Sequence, residues 1–159
     1  MQKKIVQILV VAITTFSFQK ASAQLKPVSL GPYVEAGWPA SDFSNGYDMG
    51  FGGGLGVDIK LPLKFTATGS VGYMQFSGKA PLKDIQAIPI RIGVKYRLAP
   101  IYLKVETGVA SIMDNGGTAV IFAPGIGFKV AVFDVEGKYE SWYKDGSRGF
   151  WGIKASVNF

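Results

Sequence analysis

From Leu30 to Phe159 the chain alternates apolar and polar residues with a period of two, and the alternation restarts eight times. It predicts strands over 30–38, 50–60, 63–75, 87–98, 101–112, 119–131, 133–143 and 149–159. The last shows the pattern most plainly: Trp151, Ile153, Ala155, Val157 and Phe159 share one parity, while Phe150, Gly152, Lys154, Ser156 and Asn158 take the other. Strands of about 9–11 residues cross a bilayer when tilted. The connections alternate too. Those at 61–63, 98–100 and 131–133 are tight turns, whereas 39–49, 76–86, 113–118 and 144–148 are longer and polar or glycine-rich. An even number of strands, short turns at one end and longer loops at the other make an all-β, eight-stranded antiparallel up-and-down transmembrane β-barrel the expected fold.

The two parities differ in chemistry as well as hydropathy. One carries Leu55, Val57 and Ile59; Phe65, Ala67, Val71 and Tyr73; Ile88, Ile90, Ile92, Val94 and Tyr96; Ile101, Leu103, Val105 and Val109; Ile126, Phe128 and Val130; and Phe133, Val135 and Tyr139. The other holds nearly all strand charges: Glu35, Asp58, Lys60, Lys64, Arg91, Lys95, Arg97, Lys104, Glu106, Lys129, Asp134, Glu136, Lys138, Glu140 and Lys154. A barrel in lipid turns the first set outward and the second into the lumen, where nine basic and six acidic groups largely neutralise one another. A soluble barrel does the reverse. A lipocalin-like cup, for which Gly37 and Trp38 supply a superficial signature, would need Ile88, Ile90, Ile92 and Val94 inside and Arg91, Lys95 and Arg97 outside. The near-continuous apolar parity on all strands, the many inward glycines and the terminal Phe159 stand against it.

The start of the chain is built differently. Lys3 and Lys4, an apolar stretch over 5–18 and the Ala21-Ser22-Ala23 site have the layout of a secretory signal peptide. The stretch is shorter than the ~20 residues of a spanning helix. The expected division is therefore a cleaved signal peptide at 1–23 and an outer-membrane β-barrel domain at 24–159. Losing Lys3, Lys4 and Lys20 takes the formal charge from +6 to +3, with 14 basic residues facing 11 acidic ones. That excess is too small and dispersed for nucleic acid. The chain has no Cys, so neither a lipid anchor nor a disulfide framework is expected.

Inward glycines, among them Gly52, Gly54, Gly56, Gly72, Gly93, Gly108, Gly125, Gly127 and Gly152, give long Arg and Lys side chains room in a narrow barrel. The run 50–56 imitates a phosphate-cradling loop, but a strand follows it where a helix N-terminus is needed. Aromatic belts are expected at the two interfaces: Trp38, Tyr73, Tyr139, Trp142, Tyr143 and Trp151 near the long loops, and Phe65, Tyr96, Tyr102, Phe133 and Phe159 at the turn end.

Ala36-Gly37-Trp38, the runs 52–58, 69–76, 88–96 and 124–129, and the closing Val157-Asn158-Phe159 together resemble the small outer-membrane β-barrel domain family, related in architecture to OmpA and OmpX. The resemblance spans 30–159. It implies outer-membrane lipid as surroundings, a monomer, and insertion by the barrel assembly machinery, with Phe159 as the assembly signal. Loops shorter than those of adhesive relatives argue against dedicated receptor binding and leave any loop-mediated partner unknown. No peptidoglycan-binding domain is expected after Phe159.

Without His, Ser-His and Asp-His hydrolysis are excluded in their usual form, and without Cys or His no transition-metal site is expected. Glu136 and Glu140 flank Lys138 on one face, a carboxylate pair open to acid and base work. An interior ion-pair network is the simpler reading. The expected network is Glu35, Asp58, Arg91, Lys95, Lys104, Glu106, Lys129, Glu136, Lys138, Glu140 and Lys154, with the acids and lysines of the last four strands satisfying one another. No cofactor or enzyme activity is expected. Two classes remain: an envelope protein of structural or interaction role with its interior plugged by charge pairs, or a narrow or gated pore for water, ions or small solutes.

Overall fold

The computed structural model describes residues 27–159 apart from 115; the expected signal peptide at 1–23 lies outside the described residues. Eight strands form: β1 (Val28–Pro39), β2 (Tyr47–Lys60), β3 (Phe65–Gly78), β4 (Ile85–Leu98), β5 (Ile101–Ile112), β6 (Gly117–Val130), β7 (Phe133–Tyr143) and β8 (Ser147–Val157). Each pairs antiparallel with the next, and β8 returns to β1, giving a closed barrel. Their ends lie within three residues of the sequence-based bounds. The turns after β2, β4 and β6 gather at one end with both strand termini, where Leu30 and Phe159 exchange backbone hydrogen bonds of 3.0 and 3.1 Å. The longer loops lie at the other end.

The loop after β1 adds one element that alternation did not foresee, a single helical turn, α1 (Phe43–Gly46). Its Phe43 is buried and packs edge-on against Phe76, with ring centroids 5.1 Å apart. Three prolines, Pro32, Pro89 and Pro124, sit inside strands, and a ladder is interrupted beside each of the last two. The β3–β4 ladder runs from Val71–Ile90 directly to Met74–Ala87, skipping two pairs, one of them the pair that Pro89 would complete. The β6–β7 ladder likewise jumps from Phe122–Ser141 to Gly125–Lys138 beside Pro124. Proline has no N–H to donate, so each of these two costs one local stretch of pairing and leaves the strand continuous.

The apolar parity faces outward around the whole circumference. Val34 is 66% and Ile92 63% exposed, and Leu55, Leu103, Val105, Ile126, Phe128 and Ile153 are about as open. Such a girdle is stable against lipid and not against water. This excludes the lipocalin-like inversion. Tyr102 and Trp142, placed in the belts from sequence, instead point inward at 2% and 1% exposure. Tyr102 shares the parity of Lys104 and Glu106, and Trp142 that of Lys138 and Glu140, so strand geometry outweighs aromatic preference for the interface. Lys64, expected inward, occupies the exposed turn before β3 with φ of 69°.

Candidate functional site

The interior is filled in layers. Nearest the long loops is an apolar cluster of Met74, Phe76, Ile85, Ala87, Ala110, Ala119, Ile121, Ala123, Trp142 and Phe150, closed over by Phe43. Phe76, Trp142 and Phe150 pack edge to face at 4.9–5.9 Å. These residues have inward parity, but with no charge among them sequence reasoning passed over them as a layer. Trp142 joins this layer to the next by donating its Nε1–H to Glu140 Oε1 at 2.7 Å.

Below lies a fully buried quartet drawn from three strands. Arg91 Nη2 of β4 is 2.9 Å from Glu35 Oε1 of β1 and 2.8 Å from Glu140 Oε1 of β7. Lys138 Nζ contacts the other oxygens of the same acids, at 2.9 Å from Glu35 and 2.6 Å from Glu140. Two cations and two carboxylates thus neutralise one another with charge-assisted hydrogen bonds, the condition under which buried ions are tolerated. Tyr33, from β1, lies within 3.5 Å of Arg91 Nη1.

The next layer holds Lys104, whose Nζ is 3.1 Å from Glu106 and 2.5 Å from Glu136. Both acids line a cavity of about 20 Å³, the space of a single water. Lys154 joins this layer without an ion pair among the described residues; its Nζ sits 3.9 Å from the centroid of the Tyr33 ring. Nearest the turns, Lys95 Nζ bridges Asp58 at 3.0 Å and Asp134 at 2.9 Å, and Tyr102 donates a short hydrogen bond to Asp134. Lys129 approaches Asp58 at 3.7 Å.

All eleven predicted network residues therefore face the interior, but some of their partners differ from expectation. Within the last four strands Lys104 meets Glu106 and Glu136, and Lys138 meets Glu140, as expected, but Lys129 pairs with Asp58 of β2 and Lys154 with an aromatic face. The reason is geometric: at this narrow diameter long side chains reach strands opposite as easily as neighbours, and Arg91 joins β1 to β7. Asp134, Tyr33 and Tyr102 complete the charged layers; Asp134 was legible from its parity, and both tyrosines from theirs. The glycines make room as expected, though not only for Arg and Lys. Gly125 and Gly152 face Lys138, whereas a Cβ on Gly127 would overlap the Tyr102 ring.

A closed eight-stranded barrel with an apolar girdle and a charge-filled interior is a small transmembrane β-barrel. Similar solved structures are Yersinia pestis Ail in a nanodisc, 16% identical over 81% of this chain and 99% of that chain, with a TM-score of 0.56; Neisserial surface protein A, 18% identical over 84% and 98%, with a TM-score of 0.53; and the N-terminal barrel domain of Pseudomonas aeruginosa OprF, 10% identical over 82% and 97%, with a TM-score of 0.57. At such identities the likeness is one of fold, and at that level the resemblance to small outer-membrane barrels is borne out. No family model and no curated protein matches the chain.

Proposed function

We propose that this chain is an exported, integral outer-membrane protein whose barrel is a structural and interaction element of the envelope, with an interior that blocks passage and no catalytic role. In this reading 1–23 is removed as a signal peptide, Phe159 is read by the barrel assembly machinery, and a monomer displays four modest loops on the far side. One observation carries the plugged interior. Arg91, buried and tied to Glu35 and Glu140, spans the barrel between strands that are not neighbours, directly beneath the Phe76, Trp142 and Phe150 cluster. An ion crossing there must break a neutral quartet or displace packed aromatic rings, and each is costly in a confined site.

Liposome swelling tests this reading. Vesicles carrying the folded wild-type barrel are expected to admit arabinose no faster than empty vesicles. Swelling proportional to the amount of barrel inserted would replace the plugged barrel with the narrow pore.

A further inference from the structure

At the turn end the barrel opens into a cavity of about 230 Å³. Its wall carries four basic side chains, Lys60, Lys95, Arg97 and Lys129, and one acid, Asp58. Lys95 is engaged by Asp58 and Asp134 together, and Asp58 is shared with Lys129. Lys60 and Arg97 form no ion pair among the described residues. Counting both aspartates, these described side chains keep an excess of two positive charges. Three buried polar atoms of residues in the same wall, Arg97 Nε, Ser29 Oγ and Thr66 Oγ1, have no hydrogen-bond partner among the described residues. An arginine Nε–H only donates, so it needs an acceptor, and leaving such a donor unmade is costly.

We infer that this mouth is an anion site that takes a phosphate group. The chemistry fits on two counts. A guanidinium and two ammonium groups supply the charge-assisted donors that phosphate oxygens accept. The excess of two charges suffices for a phosphate monoester or inorganic phosphate, which carries about −1.5 to −2 at neutral pH, and for the single negative charge of a phosphodiester headgroup. The phosphate belongs either to a lipid headgroup at the adjoining membrane surface or to a free soluble anion. The site shares Lys95, Asp58 and Lys129 with the charged layer nearest the turns and lies apart from the Arg91 quartet, so it stands whether or not that quartet blocks the lumen.

The test is an NMR titration of inorganic phosphate into the folded barrel in phosphatidylcholine nanodiscs, repeated without phosphate in discs containing phosphatidylglycerol. Saturable shifts at the Lys60, Arg97 and Lys129 amides and at the Arg97 Nε–H are expected in at least one series. Saturation by inorganic phosphate marks a free anion; shifts produced only by the anionic lipid mark a headgroup. Arg97→Gln and Lys129→Gln are each expected to weaken the response at least about tenfold. Lys83→Gln, the same charge change in an exposed loop at the other end, leaves it unchanged. Lys60→Gln serves in place of any variant that fails to give heat-modifiable barrel. Absence of saturable shifts in both series, or wild-type responses from the mouth variants, overturns the site.

Discussion

Arg91 Nη2 on β4 lies 2.8 Å from Glu140 Oε1 on β7, and neither side chain has any exposed surface. These strands do not pair, so the bond crosses the lumen and couples opposite walls of the barrel. Truncating one partner strands the other's charge. Arg91→Ala is expected to lower unfolding stability by about 3–5 kcal/mol, less where water enters to screen the two acids. The charge-balanced double variant Arg91→Met with Glu140→Gln should cost less than the sum of its single changes, because Lys138 keeps Glu35. Urea unfolding of barrel in lipid vesicles, followed by tryptophan fluorescence, measures the cycle; strict additivity would deny the coupling.

On the outer face the sign of the same chemistry reverses. Ile92→Arg or Val105→Arg is expected to destabilise the barrel by about 2–4 kcal/mol, since each places a charge against lipid near mid-span. Cysteines at Ile90, Ile92, Val94, Leu103, Val105 and Phe128 should react with a bilayer-confined label, and cysteines at Arg91 and Lys95 should not. Labelling of the second group would invert the faces.

The two faces were legible because parity in a strand is a binary property that survives errors of a few residues at its ends. Asp134, Tyr102 and Trp142 follow that parity, and the belt assignment of the two aromatics went astray by giving residue type precedence over it. Cross-lumen partners were not legible. Which cation meets Glu140 depends on the stagger accumulated around eight ladders, including the gaps at Pro89 and Pro124, and alternation along one strand carries no information about that sum. The layer under Phe43 escaped for a different reason: an apolar residue of inward parity looks like noise until several strands place theirs at one height.

Tight interior packing also makes a glycine testable. Gly127→Ala is expected to cost about 1–3 kcal/mol, because the three atoms nearest its Cβ all belong to the Tyr102 side chain. Adding Tyr102→Leu should recover part of the loss. Recovery absent from the same unfolding assay would show that the glycine serves backbone conformation instead.

Phe159 exchanges both backbone hydrogen bonds with Leu30 and so helps to close the turn end. Replacing it with aspartate is expected to leave export intact while reducing the heat-modifiable form in the outer membrane, the outcome required if this residue is an assembly signal. Wild-type amounts of folded barrel would remove that role.

The plugged interior is tested most directly by single-channel recording in planar bilayers, comparing wild type with Glu140→Ala. Glu140 holds Arg91, Lys138 and Trp142 together. Wild-type barrel is expected to show no steady conductance and the variant to show small, intermittent openings. Steady wild-type conductance that Glu140→Ala leaves unchanged would contradict the plug and make the barrel a pore.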